Sequence, residues 1–266
     1  MRVALGQFAV SKVWQENADI CTTLMRDAHA GGAELLVLPE GILARDITDP
    51  DIVLKTAQPL DGPFMTQLLA ESRNSDMTVM MCVHVPTGGQ RVFNNLVTIR
   101  GGEIVAQYLK LHLYDAFAAK ESTNVQPGGE IPGLIEISGL KLGLMTCYDL
   151  RFPELARRHA VDGADVLILP AAWVKGPGKE AHWEVLVTAR ALENTCYIVA
   201  VGECGERNIG ASMVVDPLGV AVVRAGEGPV LILADIDPKR ISHGRAVLPV
   251  LANRRFARPE LADTTA

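Results

Sequence analysis

The sequence predicts an α/β fold, because short aliphatic runs alternate with segments of helical periodicity along the chain. One pattern, Gly-Ala followed by an acidic residue, an aliphatic run and a proline, occurs twice, at 32–39 and at 163–170. Each copy follows a predicted helix and precedes a predicted loop. The two copies predict two related strand–helix halves in one core, with the carboxyl ends of both strands directed at a common cleft, where ligands of α/β proteins bind.

Glycines and prolines separate the predicted elements in the first half of the chain. Gly31 ends the first helix, Pro39 ends the second strand, and Gly101-Gly102 joins two strands as a hairpin. The polar segment 45–58 is predicted to be a loop. We predict strands at 3–10, 34–38, 78–85, 93–100 and 104–110, and helices at 18–30 and 62–73.

The second half continues the alternation of strands and helices. We predict strands at 142–146, 166–169, 196–201, 213–216 and 230–236, and helices at 153–161 and 179–194. The segment 217–219 is predicted to be a turn. From Pro249 the chain is basic at Arg254 and Arg255 and then polar, which indicates a C-terminal arm over about 250–266 that crosses a partner or is disordered. Because no long linker interrupts the pattern, we expect one domain over 1–266.

Composition excludes several classes of protein. Hydrophobic residues make up 48% and charged residues 21% of the 266 residues, the balance of a soluble globular protein. The net charge of −6 without a basic stripe argues against nucleic-acid binding, and no apolar run is long enough to span a membrane. Five scattered cysteines without CxxC spacing and a first segment without signal-peptide features predict a reducing, cytoplasmic location. The histidines form no ligand pair, so we expect no protein-bound metal.

The cysteine elbow, residues 142–154, is the strongest local signal. A short buried strand precedes Cys147, and Pro153 suits the first position of a helix, with Glu154 in the first turn, where the helix dipole favours a negative charge. Cys147 is therefore expected between a strand and a helix N-terminus, a place where a thiol tends to be a thiolate. The alternative is a small buried core cysteine.

A cysteine nucleophile needs a group that takes its proton, and histidine is the usual one. The candidates are His112, His159 and His182. His159 falls late in the predicted helix after the elbow and is expected to point away from the cysteine. His182 opens the next helix and is expected to cap or pack there.

A carboxylate and a lysine can replace the histidine. Glu40 directly follows a buried strand, and Lys110 ends another, where strand alternation would place Lys110 and His112 on one face. Glu40 can take the thiol proton, and Lys110 can donate to the oxyanion that the attack creates. Together with Cys147 they form a chemically complete set for acyl transfer, which the spacing permits without requiring it, since Lys110 alone also fits an ordinary surface edge.

Three segments of the chain, 38–41, 108–113 and 147–154, resemble the signature segments of the nitrilase superfamily of carbon–nitrogen hydrolases, in the same order and with similar separations. The similarity continues through 163–165, 170–173, 182–184 and 189–191 and covers nearly the whole chain. The resemblance implies a four-layer α-β-β-α sandwich, a small-molecule amide substrate, no metal or organic cofactor, and assembly into a homodimer or a higher homo-oligomer.

The same resemblance implies a role for each site residue. Cys147 would be the nucleophile, Glu40 the general base and Lys110 the acid that stabilises the oxyanion, with the backbone N–H of Tyr148 completing the oxyanion hole. Glu121 matches a second glutamate of the family, which is structural or positions a proton. The alternative for Glu121 is a solvated loop charge.

Within the superfamily the chain is most similar to the branch that hydrolyses deaminated glutathione, on the segments 43–46, 147–154, 181–186 and 189–193. This similarity implies an amidase that releases 2-oxoglutarate and cysteinylglycine in metabolite repair. The alternative within the superfamily is an ω-amidase acting on 2-oxoglutaramate or 2-oxosuccinamate. A non-catalytic binding protein that retains the fold is the alternative of another class, although all three catalytic residue types are present.

A dianionic substrate of this kind needs cationic anchors, for which Arg45 and Arg151 are the candidates. Arg151 could instead pair with a carboxylate of the elbow, Asp149 or Glu154. The remaining candidates for lining the binding site are aromatic, although such residues at strand ends often belong to the core. They are Tyr114, Tyr148 and Trp173.

Overall fold

Two β-sheets packed face to face form the centre of the fold. The structure is a computed structural model that describes residues 1–117 and 119–262. Its strands are β1 (Arg2–Gln7), β2 (Leu35–Val37), β3 (Thr78–Pro86), β4 (Val92–Arg100), β5 (Glu103–Leu109), β6 (Val125–Gln126), β7 (Ile135–Ile137), β8 (Leu140–Leu144), β9 (Val166–Ala171), β10 (Tyr197–Gly202), β11 (Met213–Val215), β12 (Ala221–Arg224) and β13 (Val230–Asp235). One sheet has the order β13-β1-β2-β3-β4-β5 with β6 beside β4, and the other has the order β12-β11-β10-β9-β8-β7.

Helices cover the outer faces of both sheets. The helices of the described residues are α1 (Trp14–Ala30), α2 (Ile52–Thr56), α3 (Pro63–Ser72), α4 (Pro153–Val161), α5 (Lys179–Asn194), α6 (Pro238–Val247) and α7 (Val250–Asn253). Met25 of α1 and Leu68 of α3 pack in one apolar cluster with the first sheet. Leu155 of α4 and Trp183 of α5 pack in a second cluster with the other sheet. The implied α-β-β-α order of layers is therefore confirmed.

Successive side chains of a strand point to opposite faces, so each sheet contributes residues to two apolar layers. Val3 and Leu5 of β1 belong to the second cluster, which also contains residues of the other sheet, whereas Ala4 belongs to the cluster under α1 and α3. Leu35 and Leu36 of β2 divide in the same way. A run of aliphatic residues is therefore required where both faces of a strand are buried.

Most predicted elements are present, and the helices beside the elbow have the predicted bounds, 153–161 and 179–194. Several expectations differ from the structure: β1 ends at Gln7 instead of residue 10, and β6, β7, β12 and α7 were not predicted. The first helix begins at Trp14 instead of residue 18, and the predicted loop 45–58 contains α2. The helix α6 was not predicted, although Pro238 at its first position and the Asp237 side chain, which accepts a hydrogen bond from the Lys239 N–H, are both start signals.

The C-terminal arm lies against its own chain in its described part. After α7, Arg258 forms an ion pair with Asp162 at the end of α4, with 2.6 Å between Nε and Oδ1. Arg158 of α4 donates to the backbone oxygen of Pro259 at 2.9 Å. The last residues of the predicted arm, 263–266, lie outside the described residues.

The described residues contain neither a membrane-spanning helix nor a cluster of metal ligands. None of the helices in this part of the chain combines the length and apolar character that a membrane span requires. Within residues 1–117 and 119–262, no cluster of three or more histidine, cysteine, aspartate or glutamate side chains is arranged to hold a metal ion.

Candidate active site

A cavity of about 560 Å³ opens where strands of both sheets end. Glu40 follows β2, Lys110 follows β5, Cys147 follows β8 and Trp173 follows β9. All nine site residues that the sequence analysis singled out line this cavity: Glu40, Arg45, Lys110, Tyr114, Glu121, Cys147, Tyr148, Arg151 and Trp173. The common cleft expected from the repeated pattern is therefore present.

The backbone holds Cys147 in a sharp turn between β8 and a 3₁₀ helix over Cys147–Arg151. Its φ of 43° lies in the left-handed region, which is strained for a residue with a side chain. Asp149 fixes the turn, because the Thr146 N–H donates to Asp149 Oδ2 at 2.7 Å and the Asp149 N–H donates to the Thr146 carbonyl at 3.0 Å. Tyr148 is in the first turn, where backbone N–H groups have no partner within the helix.

The carboxylate of Glu40 is buried and accepts hydrogen bonds on both oxygens. Lys110 Nζ donates to Oε1 at 2.9 Å and Asn94 Nδ2 donates to the same oxygen at 2.8 Å. The backbone N–H of Ala172 donates to Oε2 at 2.9 Å. Burial alone would raise the pKa of Glu40, but the charge and hydrogen bond of Lys110 outweigh it and lower the pKa to about 2. Glu40 is therefore an ionised base at neutral pH.

Lys110 lies between two carboxylates. Its Nζ is 2.9 Å from an oxygen of Glu40 and 2.9 Å from Oε2 of Glu121. Burial alone would lower the pKa of Lys110, but the two glutamates outweigh burial and raise it well above its usual value. The side chain is therefore a buried ammonium ion. It does not share a strand face with His112 as predicted, because β5 ends at Leu109 and the His112 ring turns to Asp149.

The thiol of Cys147 is protonated at rest. Burial, followed by the negative charge of Glu40, raises the pKa of Cys147 well above its usual value, although Lys110 opposes this. Desolvation and the neighbouring carboxylate therefore dominate over the helix N-terminus, which by itself would favour a thiolate. Glu40 is close enough to the thiol for its negative charge to act on the pKa of Cys147. The arrangement allows the glutamate to take the proton as the sulfur attacks a carbonyl carbon.

Glu121 is not a solvated loop charge in this structure. Both of its oxygens accept from Lys110 Nζ, at 3.1 and 2.9 Å, and Oε2 also accepts from the Tyr114 N–H at 2.6 Å. The carboxylate thus connects the ammonium group of Lys110 to the loop that carries Tyr114.

Arg151 faces the cavity and does not pair with Asp149 or Glu154; within the described residues no carboxylate lies within 4 Å of its guanidinium. Its Cζ lies 4.7 Å from the centroid of the Trp173 ring. The other candidate anchor, Arg45, donates to the backbone oxygen of Glu40 at 3.2 Å.

All three aromatic candidates line the cavity, and Trp173 also belongs to the apolar core. Trp173 is buried and packs against Trp183, with 5.4 Å between ring centroids. Tyr114 and Tyr148 meet edge to face at 5.1 Å. The Tyr114 hydroxyl accepts a hydrogen bond from Lys179 Nζ at 2.8 Å. Trp173 is therefore a core residue that also forms part of the cavity wall.

Sequence reasoning missed four contributors to the site. Asn94 holds Glu40, Asp149 holds the elbow, and Lys179 and Arg207 add positive charge to the cavity wall. The only local signal for Asn94 is a polar residue inside an otherwise apolar strand, and Lys179 is simply the first residue of a helix. Their roles depend on partners far away in the sequence.

The three histidines considered as bases lie elsewhere. His159 is buried under β8, with Nε2 at 2.9 Å from the Leu144 carbonyl oxygen. His112 contacts Asp149, and His182 Nδ1 lies 3.5 Å from Arg151 Nη2. The predicted orientation of His159 away from the cysteine agrees with this geometry.

The site brings together a buried carboxylate, an ammonium group and a thiol, those of Glu40, Lys110 and Cys147. These three groups are the set that an amide hydrolase needs for acyl transfer. A family model described as carbon-nitrogen hydrolase matches residues 2–246, and the chain belongs to this family. It is an enzyme that hydrolyses carbon–nitrogen bonds of amides other than peptide bonds.

Named relatives share most of the chain. A protein of Escherichia coli O157:H7 named deaminated glutathione amidase is 55% identical over 98% of this chain and 100% of its own. The NitFhit protein of C. elegans superposes with a TM-score of 0.88 and is 29% identical, over 96% of this chain and 65% of that chain. A variant of the amidase of Nesterenkonia sp. AN1, whose active-site cysteine carries the acetamide moiety of fluoroacetamide, has a TM-score of 0.83 and is 25% identical, over 96% of this chain and 94% of that chain.

Proposed function

We propose that this enzyme hydrolyses deaminated glutathione, a glutathione whose glutamyl amine has become a ketone, to 2-oxoglutarate and cysteinylglycine. The observation that carries the proposal is the charge of the cavity wall. Five cations line the cavity without a carboxylate within 4 Å among the described residues, namely Arg45, Lys120, Arg151, Lys179 and Arg207. The chain as a whole has a net charge of −6. An anionic substrate supplies the charge that these groups lack, and deaminated glutathione has a carboxylate at each end. The 55% identity to a protein of that name supports the same substrate.

The proposed reaction begins with attack of the Cys147 sulfur on the amide carbonyl carbon, while Glu40 takes the thiol proton. The carbonyl oxygen becomes an oxyanion, which Lys110 and the N–H of Tyr148 stabilise by donating hydrogen bonds. Glu40 then gives its proton to the amide nitrogen, the carbon–nitrogen bond breaks, and cysteinylglycine leaves. The acyl part stays on the sulfur as a thioester.

Water hydrolyses this thioester in the second half of the proposed reaction. Glu40 takes a proton from the water as its oxygen attacks the thioester carbon, and the same donors stabilise the second oxyanion. When the carbon–sulfur bond breaks, the proton returns from Glu40 to the sulfur, and 2-oxoglutarate is released. Glu121 and Asn94 keep Lys110 and Glu40 in place through both steps.

A comparison of two substrates tests the proposal. The ratio of kcat/KM for deaminated glutathione to that for 2-oxoglutaramate is measured by following 2-oxoglutarate in both reactions, with Cys147→Ala as the inactive control. We expect a preference of about 100-fold for the peptide, equivalent to about 2.7 kcal/mol of transition-state binding. A preference for 2-oxoglutaramate would identify an ω-amidase instead. Full activity of Cys147→Ala would contradict the proposed mechanism.

We also propose that residues 1–266 form one carbon–nitrogen hydrolase domain with a short C-terminal arm, which works in the cytoplasm as a homodimer or a higher homo-oligomer. The outer face of α5 supports association, because Val185 and Leu192 are exposed there at 64% and 39%. Size-exclusion chromatography with light scattering measures the molar mass in solution and tests the oligomeric state. The mass of a single chain at micromolar concentration would contradict the proposed association.

A further inference from the structure

Lys179 is a buried cation without a counter-charge. Its side chain is only 5% exposed, yet no carboxylate of residues 1–117 or 119–262 lies within 4 Å of Nζ. Lys179 Nζ donates a hydrogen bond to the Tyr114 hydroxyl at 2.8 Å, and it lies 3.6 Å from the centroid of the Phe117 ring. Burying an ammonium ion without a negative partner is unfavourable, so the position indicates a charge that arrives with a ligand.

Arg151, which lies beside Lys179, is a second cation of the cavity wall without a carboxylate partner among the described residues. Its Nε is buried without a hydrogen-bond partner among the described residues, and its Cζ lies 4.7 Å from the Trp173 ring centroid. Both cations contact the same ring, since Arg151 Cζ is 5.8 Å from the centroid of Phe117. Two cations side by side repel each other, and an anion between them removes the repulsion.

The first turn of α5 adds to the positive potential of this corner. Lys179 is the first residue of the 16-residue helix, and its charge adds to the positive end of the helix dipole. Glu180 of the same turn is exposed to solvent, whereas Lys179 is buried, so the positive end of the dipole disfavours the buried ammonium unless an anion binds there. His182 of the same turn lies beside Arg151, with 3.5 Å between Nδ1 and Nη2.

We propose that Lys179 and Arg151 bind the carboxylate of the acyl part of the substrate, the end that carries the 2-oxo group. This inference rests on the proposed function and assigns one end of that substrate. Arg151 belongs to the same 3₁₀ helix as Cys147, so its distance from the sulfur is fixed by the elbow. In a five-carbon acyl chain the carboxylate lies about 5 Å from the attacked carbon, which is a short reach from the elbow.

Burial separates the two ends of the cavity. The acyl part stays bound to Cys147 through both steps, whereas cysteinylglycine must leave after the first. Lys179 is buried, but Arg207 is exposed at the rim. A buried anchor suits the part that stays, and an exposed anchor suits the part that leaves.

The test uses Lys179→Met, which keeps the aliphatic stem and removes the charge, and Lys179→Arg, which keeps the charge. Lys175→Met is the matched control, because Lys175 is exposed on the preceding loop and outside the cavity lining. We expect Lys179→Met to lower kcat/KM at least 10-fold for deaminated glutathione and for 2-oxoglutaramate alike, since they share the acyl part. Lys179→Arg is expected to recover most of the loss. A loss confined to deaminated glutathione would overturn the inference, because Lys179 would then contact the leaving group.

Binding to the inactive Cys147→Ala protein separates this inference from the proposed function. Calorimetry measures the binding of 2-oxoglutarate to this protein and to two double variants. The double variant with Lys179→Met is expected to bind at least 10-fold more weakly than Cys147→Ala alone, and the double variant with Lys175→Met is expected to bind equally well. Equal binding in both, or no binding to Cys147→Ala itself, would overturn the inference. Absence of turnover of both substrates by the wild-type enzyme, with the binding difference intact, would refute the proposed function alone.

Discussion

The buried carboxylate of Asp149 accepts a hydrogen bond from the imidazole of His112, with 2.7 Å between Oδ1 and Nδ1. The same carboxylate accepts from the Tyr108 hydroxyl at 2.7 Å and from the Thr146 N–H at 2.7 Å. Tyr108 and His112 flank Lys110 in the sequence, and Thr146 precedes Cys147. One fully buried carboxylate therefore connects the segment that carries the lysine to the elbow that carries the cysteine.

Replacing Asp149 by asparagine tests this connection. The amide keeps the shape but points a donor at groups that already donate, so at least one buried partner is left unpaired. We expect Asp149→Asn to lower the free energy of unfolding by about 3 kcal/mol in urea titrations. Asp115→Asn is the control, since Asp115 is an exposed acceptor in the following loop, and a change of at most about 0.5 kcal/mol is expected. Equal stability of the two variants would contradict the connection.

The contrast between Asp149 and the motif residues shows what sequence can predict. Glu40, Lys110 and Cys147 each follow a strand inside a recognisable segment, so their convergence could be predicted from the fold class and the resemblance. The bounds of α4 and α5 followed from periodicity, Pro153 and the length of each apolar stripe.

Partners that meet only in the folded chain could not be predicted. Lys179 donates to a hydroxyl 65 residues away and Asp149 accepts from a ring 37 residues away, and neither pair leaves a local pattern. The raised pKa of Cys147 could not be predicted for the same reason. The helix N-terminus is a local feature, whereas burial and the charge of Glu40 depend on the tertiary structure.

Glu121 is expected to act through Lys110. In Glu121→Gln the ammonium ion loses one of its two carboxylate partners, so it is less well fixed at the oxyanion. We expect kcat to fall about 100-fold with little change in KM. Because Glu121 raises the pKa of Lys110, its loss lowers that pKa, and the alkaline limb of kcat against pH should move to lower pH.

Steady-state kinetics over pH check this expectation, with Glu130→Gln as the control because Glu130 is exposed and outside the cavity lining. A purely structural role for Glu121 would lower the thermal unfolding temperature and leave the alkaline limb in place. That pattern would exclude the proposed effect on Lys110.

His84 makes stability depend on pH below neutrality. Burial, followed by the charge of Arg45, lowers the pKa of His84 to about 4, whereas histidine in an unfolded chain titrates at about 6.5. Between these values the unfolded chain binds more protons, so stability falls as the pH drops. We expect the titration of His84 to lower the free energy of unfolding by about 2 kcal/mol between pH 7 and pH 5.

Urea titrations of His84→Gln at both pH values measure the effect. The variant should lose about 2 kcal/mol less than the wild type over this interval, because its amide does not titrate. Glu40, whose pKa is about 2, stays ionised between pH 7 and pH 5, so its contribution to stability does not change over this range. His243→Gln, at an exposed position of α6, is the control and should show the wild-type loss.

Gly143 of β8 lies where helix α4 approaches the strand below the elbow. A Cβ at this position would be 2.6 Å from Cγ and 2.7 Å from Cβ of His159. The His159 ring is fully buried and fixed by its contact with the Leu144 carbonyl oxygen, so it has no room to move away. We expect Gly143→Ala to lower the free energy of unfolding by about 3 kcal/mol, whereas Gly133→Ala, with open space around its Cβ, should stay within about 0.5 kcal/mol.

A double-mutant cycle with His159→Ala separates this clash from a general intolerance of β8 to side chains. Removing the ring makes room for the new methyl group, so the double variant should be more stable than the sum of the two single effects predicts. We expect a coupling of at least about 1 kcal/mol, because the two groups are in direct contact. If the two changes in the free energy of unfolding are additive, the strand does not tolerate the methyl group even without the His159 ring. The close approach of α4 would then not be the reason for a glycine four residues before Cys147.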